Sequence, residues 1–244
     1  MRTSEYIISF LFLVLIQDLN AQESLEAPRD WKPSLLFLSS DVVGLIDMAS
    51  GGDTQAEFSA KMDFDQLFLA FDFGFENSHL SNGTSFDYTS EGRFFRVGPQ
   101  INFMKYEKSR TNIFFGLMYA NSKLNDQISY TVPEGAWEAN ELSYSNNNFK
   151  AQWFEANVGI SVRIVGPLFL GYTIRFKLAK WMDTPEDLMP YSIPGFGPAD
   201  KASNFGFNYY LTYRLGFRKK KIPDKPKNQK KRLEKVPTNE IETE

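Results

Sequence analysis

The sequence predicts an all-β protein: an eight-stranded antiparallel up-and-down transmembrane β-barrel with short periplasmic turns and long extracellular loops. Three observations predict it. Eight segments alternate large apolar residues with small or charged ones at period two, which marks strands with two unlike faces. Each segment is about ten residues long, the length a tilted strand needs to cross hydrocarbon. The connections alternate between short and long, as they do when one end of a barrel faces the periplasm and the other the outside.

Composition narrows the alternatives. Apolar residues make up 42% of the 244 residues, aromatics 16%, and mean hydropathy is −0.36. A bundle of membrane-spanning helices would be far more apolar, and a disordered chain would lack the aromatics. The absence of cysteine removes disulfides, thiolate metal sites, cysteine nucleophiles and a lipid-anchored N-terminal cysteine.

Taken in order, residues 1–21 read as a signal peptide. Arg2 precedes an apolar run from Tyr6 to Ile16, too short to span a bilayer, and Leu19-Asn20-Ala21 supplies the cleavage site. Residues 22–33 form an N-terminal periplasmic segment, 34–217 the barrel, and 218–244 a basic tail.

The first barrel segment, 34–43, sets Leu36, Leu38 and Val42 against Ser39 and Asp41. The second, 55–63, sets Ala56, Phe58, Ala60 and Met62 against Glu57, Ser59 and Lys61. The third, LFLAFDFGFE at 67–76, opposes five large apolar residues to Phe68, Ala70, Asp72, Gly74 and Glu76. In 91–103, Phe95, Val97, Ile101 and Phe103 oppose Arg96, Gly98, Gln100 and Asn102; in 111–120, Ile113, Phe115, Leu117 and Tyr119 oppose Asn112, Gly116 and Ala120. In 153–164, Phe154 to Ile164 at even positions oppose Glu155, Asn157, Gly159, Ser161 and Arg163. In 168–178, Leu170, Tyr172, Ile174 and Phe176 oppose Gly171, Thr173, Arg175 and Lys177, and in 204–217 Phe205 to Phe217 at odd positions oppose Gly206, Asn208, Thr212 and Arg214. Short connections fall at 63–66, 104–110 and 165–167, long ones at 44–54, 77–90, 121–152 and 179–203.

A soluble barrel of the lipocalin type would carry its large apolar side chains inside, around a ligand. Here the apolar face is bulky on every strand, and the other face is rich in Gly, Ser, Thr, Ala and Asn. Eight strands enclose a narrow interior that only small residues can line without crowding. The bulky face therefore points to lipid, and the sheet closes because hydrocarbon cannot satisfy an open edge.

The lumen then holds a charge network of Asp41, Glu57, Asp72, Glu76 and Glu155 with Lys61, Arg96, Arg163, Arg175, Lys177 and Arg214. The signs nearly balance, which favours a structural salt-bridge network over a pore or a catalytic carboxylate cluster. Phe68, Phe114 and Phe169 break the polar face just after short turns and are expected to plug the periplasmic mouth; Phe94, Trp153 and Tyr210 share the inward phase.

No catalytic, cofactor or metal site is expected. His79, the single histidine, lies in the polar stretch ENSHLSNGTS and reads as a solvated loop residue. Loops 121–152 and 179–203 are the places for a glycan or protein ligand, with Trp181, Tyr191 and Phe196 as binding candidates. Four prolines restrict the second of these loops and favour its packing on itself or on the barrel rim. The tail has ten basic and five acidic residues, Pro-broken and poor in large apolar groups, which predicts disorder. In an exported chain its partner is an anionic periplasmic surface, not nucleic acid.

The stretches WFEANVGISVRIVGPLFLGYTIRFKL and YSIPGFGPADKASNFGFNYYLTYRLGF, with EGRFFRVGPQINF and NIFFGLMYA, resemble an uncharacterised family of small outer-membrane β-barrels of Gram-negative bacteria. The resemblance covers about residues 34–217, and its most specific piece is Ile193–Phe196 before the FGFNYYLTY strand. It implies fold and an outer-membrane location, with outer-membrane lipid and the barrel-assembly machinery as partners, and carries no assigned activity. The expected role is non-enzymatic and structural or surface-interacting; the alternatives are loop-borne ligand binding, a small pore, or a lipid-modifying enzyme built on His79.

Overall fold

A computed structural model describes residues 30–50, 54–83, 85–104, 106–132, 140–185, 189–218 and 222. The expected signal peptide and nearly all of the tail lie outside the described residues. The described strands all belong to one compact unit.

Eight antiparallel strands close a barrel. Strand β1 is Leu35–Asp41, followed by helix α1, Val42–Ala49, then β2 (Thr54–Phe64), β3 (Leu67–Ser81), β4 (Phe86–Asn102), β5 (Asn112–Val132), β6 (Asn140–Val165) and β7 (Leu168–Met182). A two-residue hairpin, β8 (Ser192–Ile193) with β9 (Gly197–Pro198), precedes the closing strand β10, Ser203–Gly216. The ring order is β1-β10-β7-β6-β5-β4-β3-β2, with β1 bonded to both β10 and β2. Every backbone ladder thus has a partner, as hydrocarbon requires.

Side-chain parity follows the sequence. Leu69, Phe71, Phe73, Leu117, Phe154, Val158, Leu170 and Phe207 stand on the outer wall, and Phe71 is 48% exposed. Asp72, beside it on the same strand, is fully buried in the lumen. A continuous apolar exterior of this kind is a lipid-facing surface, not the surface of a water-soluble monomer.

The short turns are tight. Asp65 and Gln66 join β2 to β3 with φ of 59° and 82°, the doubly left-handed conformation that matches strand twist in a two-residue hairpin. Gly166, φ 53°, turns β6 into β7.

The long connections differ from expectation. Much of 77–90 and 121–152 is strand: β3 runs to Ser81, β5 to Val132, and β6 spans 26 residues. A transmembrane strand needs only about 9–11 residues, so these hairpins extend the wall well beyond the membrane. Cross-strand pairing continues there because backbone N–H and C=O groups bond one another whatever the side chains, and polar side chains suit both faces of a sheet in water. Val42, expected on the outer strand face, instead begins α1, because the Asp41 carboxylate accepts from the Val43 N–H at 3.3 Å and caps the helix. Connection 179–203 folds back toward the barrel mouth through the β8–β9 hairpin.

Candidate functional site

The barrel interior is the most densely functionalised part of the chain. Arg175 on β7 stands at its centre. Its Nη2 donates to Asp72 Oδ2 at 2.8 Å and to the Tyr210 hydroxyl at 2.9 Å; its Nη1 donates to Glu155 Oε2 at 3.0 Å. Its Nε donates to Asn208 Oδ1 at 2.8 Å. Arg96 on β4 lies opposite, with Nη1 2.7 Å from Glu57 Oε1 and Nε 2.9 Å from Glu155 Oε1. Tyr210 donates to Glu57, Trp153 Nε1 donates to Glu155 at 2.7 Å, and Asn208 Nδ2 donates to Asp41 at 2.9 Å.

Four carboxylates, Asp41, Glu57, Asp72 and Glu155, meet four cations, Lys61, Arg96, Arg175 and Lys177, so formal charge cancels across this layer. Burying each ion costs several kcal/mol, roughly, before pairing. Planar guanidinium forks that engage two or three carboxylates at once offset that cost with charge-assisted bonds. Each carboxylate already holds a cation or an amide. The layer ties six walls, β1, β2, β3, β4, β6 and β7, to β10, and among the described residues it offers no open acid, base or nucleophile.

Apolar layers close it on both sides. Toward the short turns, Phe37 packs edge-on against Phe68 and Phe169, with centroids 5.9 and 5.8 Å apart. Lys61 Nζ sits 3.7 Å above the Phe114 ring. Between this layer and the charges remains a space of about 20 Å³, room for a single water. Toward the outside, Phe94, Trp153, Leu124, Phe149, Ile193 and Phe196 form a second buried cluster. Here the 179–203 connection enters the barrel: Phe196 is fully buried with its ring 5.5 Å from that of Trp153.

Backbone contacts hold that insertion in place. Lys177 Nζ donates to the Phe196 carbonyl at 3.2 Å, and Arg96 Nη2 to the Gly195 carbonyl at 3.1 Å. Gly195 has φ 77° and lies face-on to Phe94, whose ring atoms come within 2.7 Å of where a Cβ would stand. Only glycine fits there.

Of the eleven charges assigned to the lumen, Asp41, Glu57, Lys61, Asp72, Arg96, Glu155, Arg175 and Lys177 lie within this layer and three lie outside it. Glu76 is half-buried on β3, above the layer. Arg163 is exposed: β6 bulges between Arg163 and Val165, and its Nε turns back to the Gly166 carbonyl at 2.8 Å. Arg214 is half-buried at the lower mouth, 5.4 Å over the Phe169 ring. Both arginines lie next to the short turn, where water competes for the guanidinium.

The three loop candidates do not share a surface. Phe196 is inside the barrel. Trp181 belongs to β7 and faces outward, 46% exposed, opposite Gln152. Tyr191 is 68% exposed at the rim, its ring 6.1 Å from that of Tyr88. His79 is a strand residue on β3, exposed, with Nε2 3.0 Å from Asp87 Oδ2. Higher on the same hairpins, burial raises the Asp126 carboxyl above its ordinary range, and burial together with that carboxylate raises the Tyr88 hydroxyl. The sequence alone assigns no role to Asn208, Tyr210 or Trp153, although all three are in inward phase; a polar group at an inward position between charged neighbours is the signal that marks them.

Fold and lumen together define a small transmembrane β-barrel with a filled, charge-neutral interior. The family described as a domain of unknown function (DUF6048) matches residues 3–220, and the chain belongs to it. No curated protein matches the sequence. Among solved structures, Neisserial surface protein A is 12% identical over 76% of this chain and 97% of its own, with a TM-score of 0.38. A major outer membrane protein from Thermus thermophilus is 9% identical over 75% and 100%, TM-score 0.44. The attachment invasion locus protein Ail of Yersinia pestis is 8% identical over 75% and 97%, TM-score 0.39. Likeness this faint carries no inference about activity.

Proposed function

We propose that this chain is a non-enzymatic outer-membrane β-barrel with a structural and surface-interaction role, and that it does not conduct ions. The observation that supports this reading is the stacking of three filled layers across one lumen: the Phe37–Phe68–Phe169 trio, the neutral charge layer, and the Phe94–Trp153–Phe196 cluster. An ion entering the lumen would have to leave water and part paired charges, with an aromatic layer on either side. The surroundings of the apolar belt are outer-membrane lipid, and its insertion calls for the barrel-assembly machinery. An acidic periplasmic partner of the basic tail belongs to the same reading and falls outside the described residues.

The test is planar-bilayer recording on the purified, refolded barrel, alongside heat-modifiable migration on a gel. A flat trace from a heat-modifiable protein is the expected result. Reproducible conductance steps would overturn the closed lumen. A chain that is folded and monomeric without detergent would overturn the membrane placement itself.

Surface interaction has a specific place to occur. The hairpins of β3–β4 and β5–β6 rise beyond the apolar belt and carry an open polar cleft of about 520 Å³, lined by Asn77, His79, Thr89, Glu91, Asn125 and Asp126 among others. Amides, hydroxyls and two carboxylates on a rigid sheet suit the hydroxyls of a glycan better than an apolar ligand. This cleft replaces the 179–203 connection as the candidate binding surface.

A further inference from the structure

The outer wall of β3–β6 carries an ordered change of chemistry, row by row. Cross-strand register aligns Phe71, Val97, Tyr119 and Phe154 in one outward row, and Phe73, Phe95, Asn121 and Gln152 in the next. The third row is Phe75, Arg93, Lys123 and Lys150. Above it come Asn77, Glu91 and Asn125, then His79, Thr89, Gln127 and Ser145. The wall therefore passes from hydrocarbon-facing rings, through three adjacent cations, to amides and hydroxyls.

The cation row is costly by itself. Arg93 lies directly opposite Lys123, and Lys123 directly opposite Lys150. Like charges in direct cross-strand pairs destabilise a sheet. Among the described residues none of the three forms an ion pair. Inside the barrel Arg96 and Arg175 are paired with carboxylates; on the outer wall these three cations are not.

The row also edges a concavity. A cleft of about 400 Å³ opens on this wall, with Phe73 and Phe75 below, Arg93 and Lys123 at the middle, and Asn77 and Glu91 above. Beyond Lys150 the strip ends at Asp183, whose carboxylate accepts from the Lys150 backbone N–H at 2.7 Å; Lys180 on β7 lies lower, its Nζ 5.1 Å over the Phe154 ring.

We propose that this cleft binds the phosphorylated saccharide headgroup of an outer-leaflet glycolipid. Acyl chains lie along Phe73 and Phe75, the phosphate meets Arg93 and Lys123 in the cleft with Lys150 beside Lys123 at its edge, and the sugar hydroxyls meet Asn77 and Asn125. The inference rests on the outer-membrane placement above. It assigns the anion to a lipid because the cations stand at the level where the apolar rows end, on the side away from the short turns. Among the described residues Glu91 is the one carboxylate lining the cleft, and it opposes the phosphate.

The test uses the full processed chain refolded in detergent, with diphosphorylated lipid A, dephosphorylated lipid A and phosphatidylglycerol as probes in mixed micelles. Binding is read by lipid retention in native mass spectrometry. Diphosphorylated lipid A is expected to bind in preference to both others, and more weakly as salt rises. Arg93→Gln, Lys123→Gln and Lys150→Gln each lose about fivefold, and the triple variant on the order of a hundredfold. Glu91→Gln gains a few-fold, roughly, by removing a like charge from the phosphate, a direction that misfolding cannot produce. Lys201→Gln, exposed on another connection, leaves binding unchanged. Heat-modifiable migration of the triple variant separates a lost site from a lost barrel. Equal binding by the triple variant, or equal binding of the dephosphorylated lipid or of phosphatidylglycerol, would overturn the proposal while leaving the barrel and its location intact.

Discussion

Arg175 and Arg93 sit on the same closed wall and face opposite media. Arg175 points inward, 2% exposed, and engages three carboxylates, a phenol and an amide. Arg93 points outward and shares its row with two lysines. The chain itself completes the first environment; the second stands incomplete until an anion arrives. Charge inside this barrel is internal bracing, because a buried ion must find its partner within the protein. Charge on its outer rim is free to be recognition, since water or a headgroup can solvate it.

That contrast breaks most sharply at Arg175. Arg175→Met leaves Glu57, Asp72 and Glu155 with one guanidinium instead of two, and is expected to cost about 3–5 kcal/mol, the usual penalty for stripping one partner from a buried ion network. Urea unfolding in detergent micelles measures it. Arg175→Lys should recover only part, because a point charge cannot fork to three acceptors.

Phe196→Ala tests the upper layer. Removing a fully buried ring from against Trp153 is expected to cost about 3 kcal/mol, and to free the 189–203 segment to added protease. The barrel should remain non-conducting, because the charge layer and the lower phenylalanines still fill the lumen. Current through Phe196→Ala would show that the inserted connection alone closes the barrel.

Tyr210→Phe is a smaller cut into the same interior. It removes one hydroxyl that donates to Glu57 and accepts from Arg175, and should cost about 1–2 kcal/mol by the same unfolding measurement. At the other extreme, the triple Arg93→Gln, Lys123→Gln, Lys150→Gln variant should change stability in lipid-free micelles by less than about 0.5 kcal/mol. A loss as large as that of Arg175→Met would mean that the outer row is bracing as well, and the contrast would fail.

Much of this is legible in the residues alone. Period-two alternation identifies all eight strands, because a residue on a strand has only two faces to choose from. The same parity places Asp72, Arg96, Glu155 and Arg175 inside, and puts Phe68 and Phe169 at the short-turn mouth. It fails at strand ends. Arg163 and Arg214 have lumen parity, but beside a turn and a bulge a long side chain is free to reach water or a ring face instead. It also fails for the long connections: the polar residues of 77–90 and 121–152 read as loop, yet a sheet already nucleated in the membrane extends them as strand.

The sequence by itself determined the barrel and which side of each strand meets lipid, since those follow from the order of residues along one strand. Only tertiary structure decided which charges pair, that Phe196 lies within the mouth, and that Arg93, Lys123 and Lys150 stand abreast. These depend on register between strands tens of residues apart, and alternation along a single strand is silent about its neighbour's register.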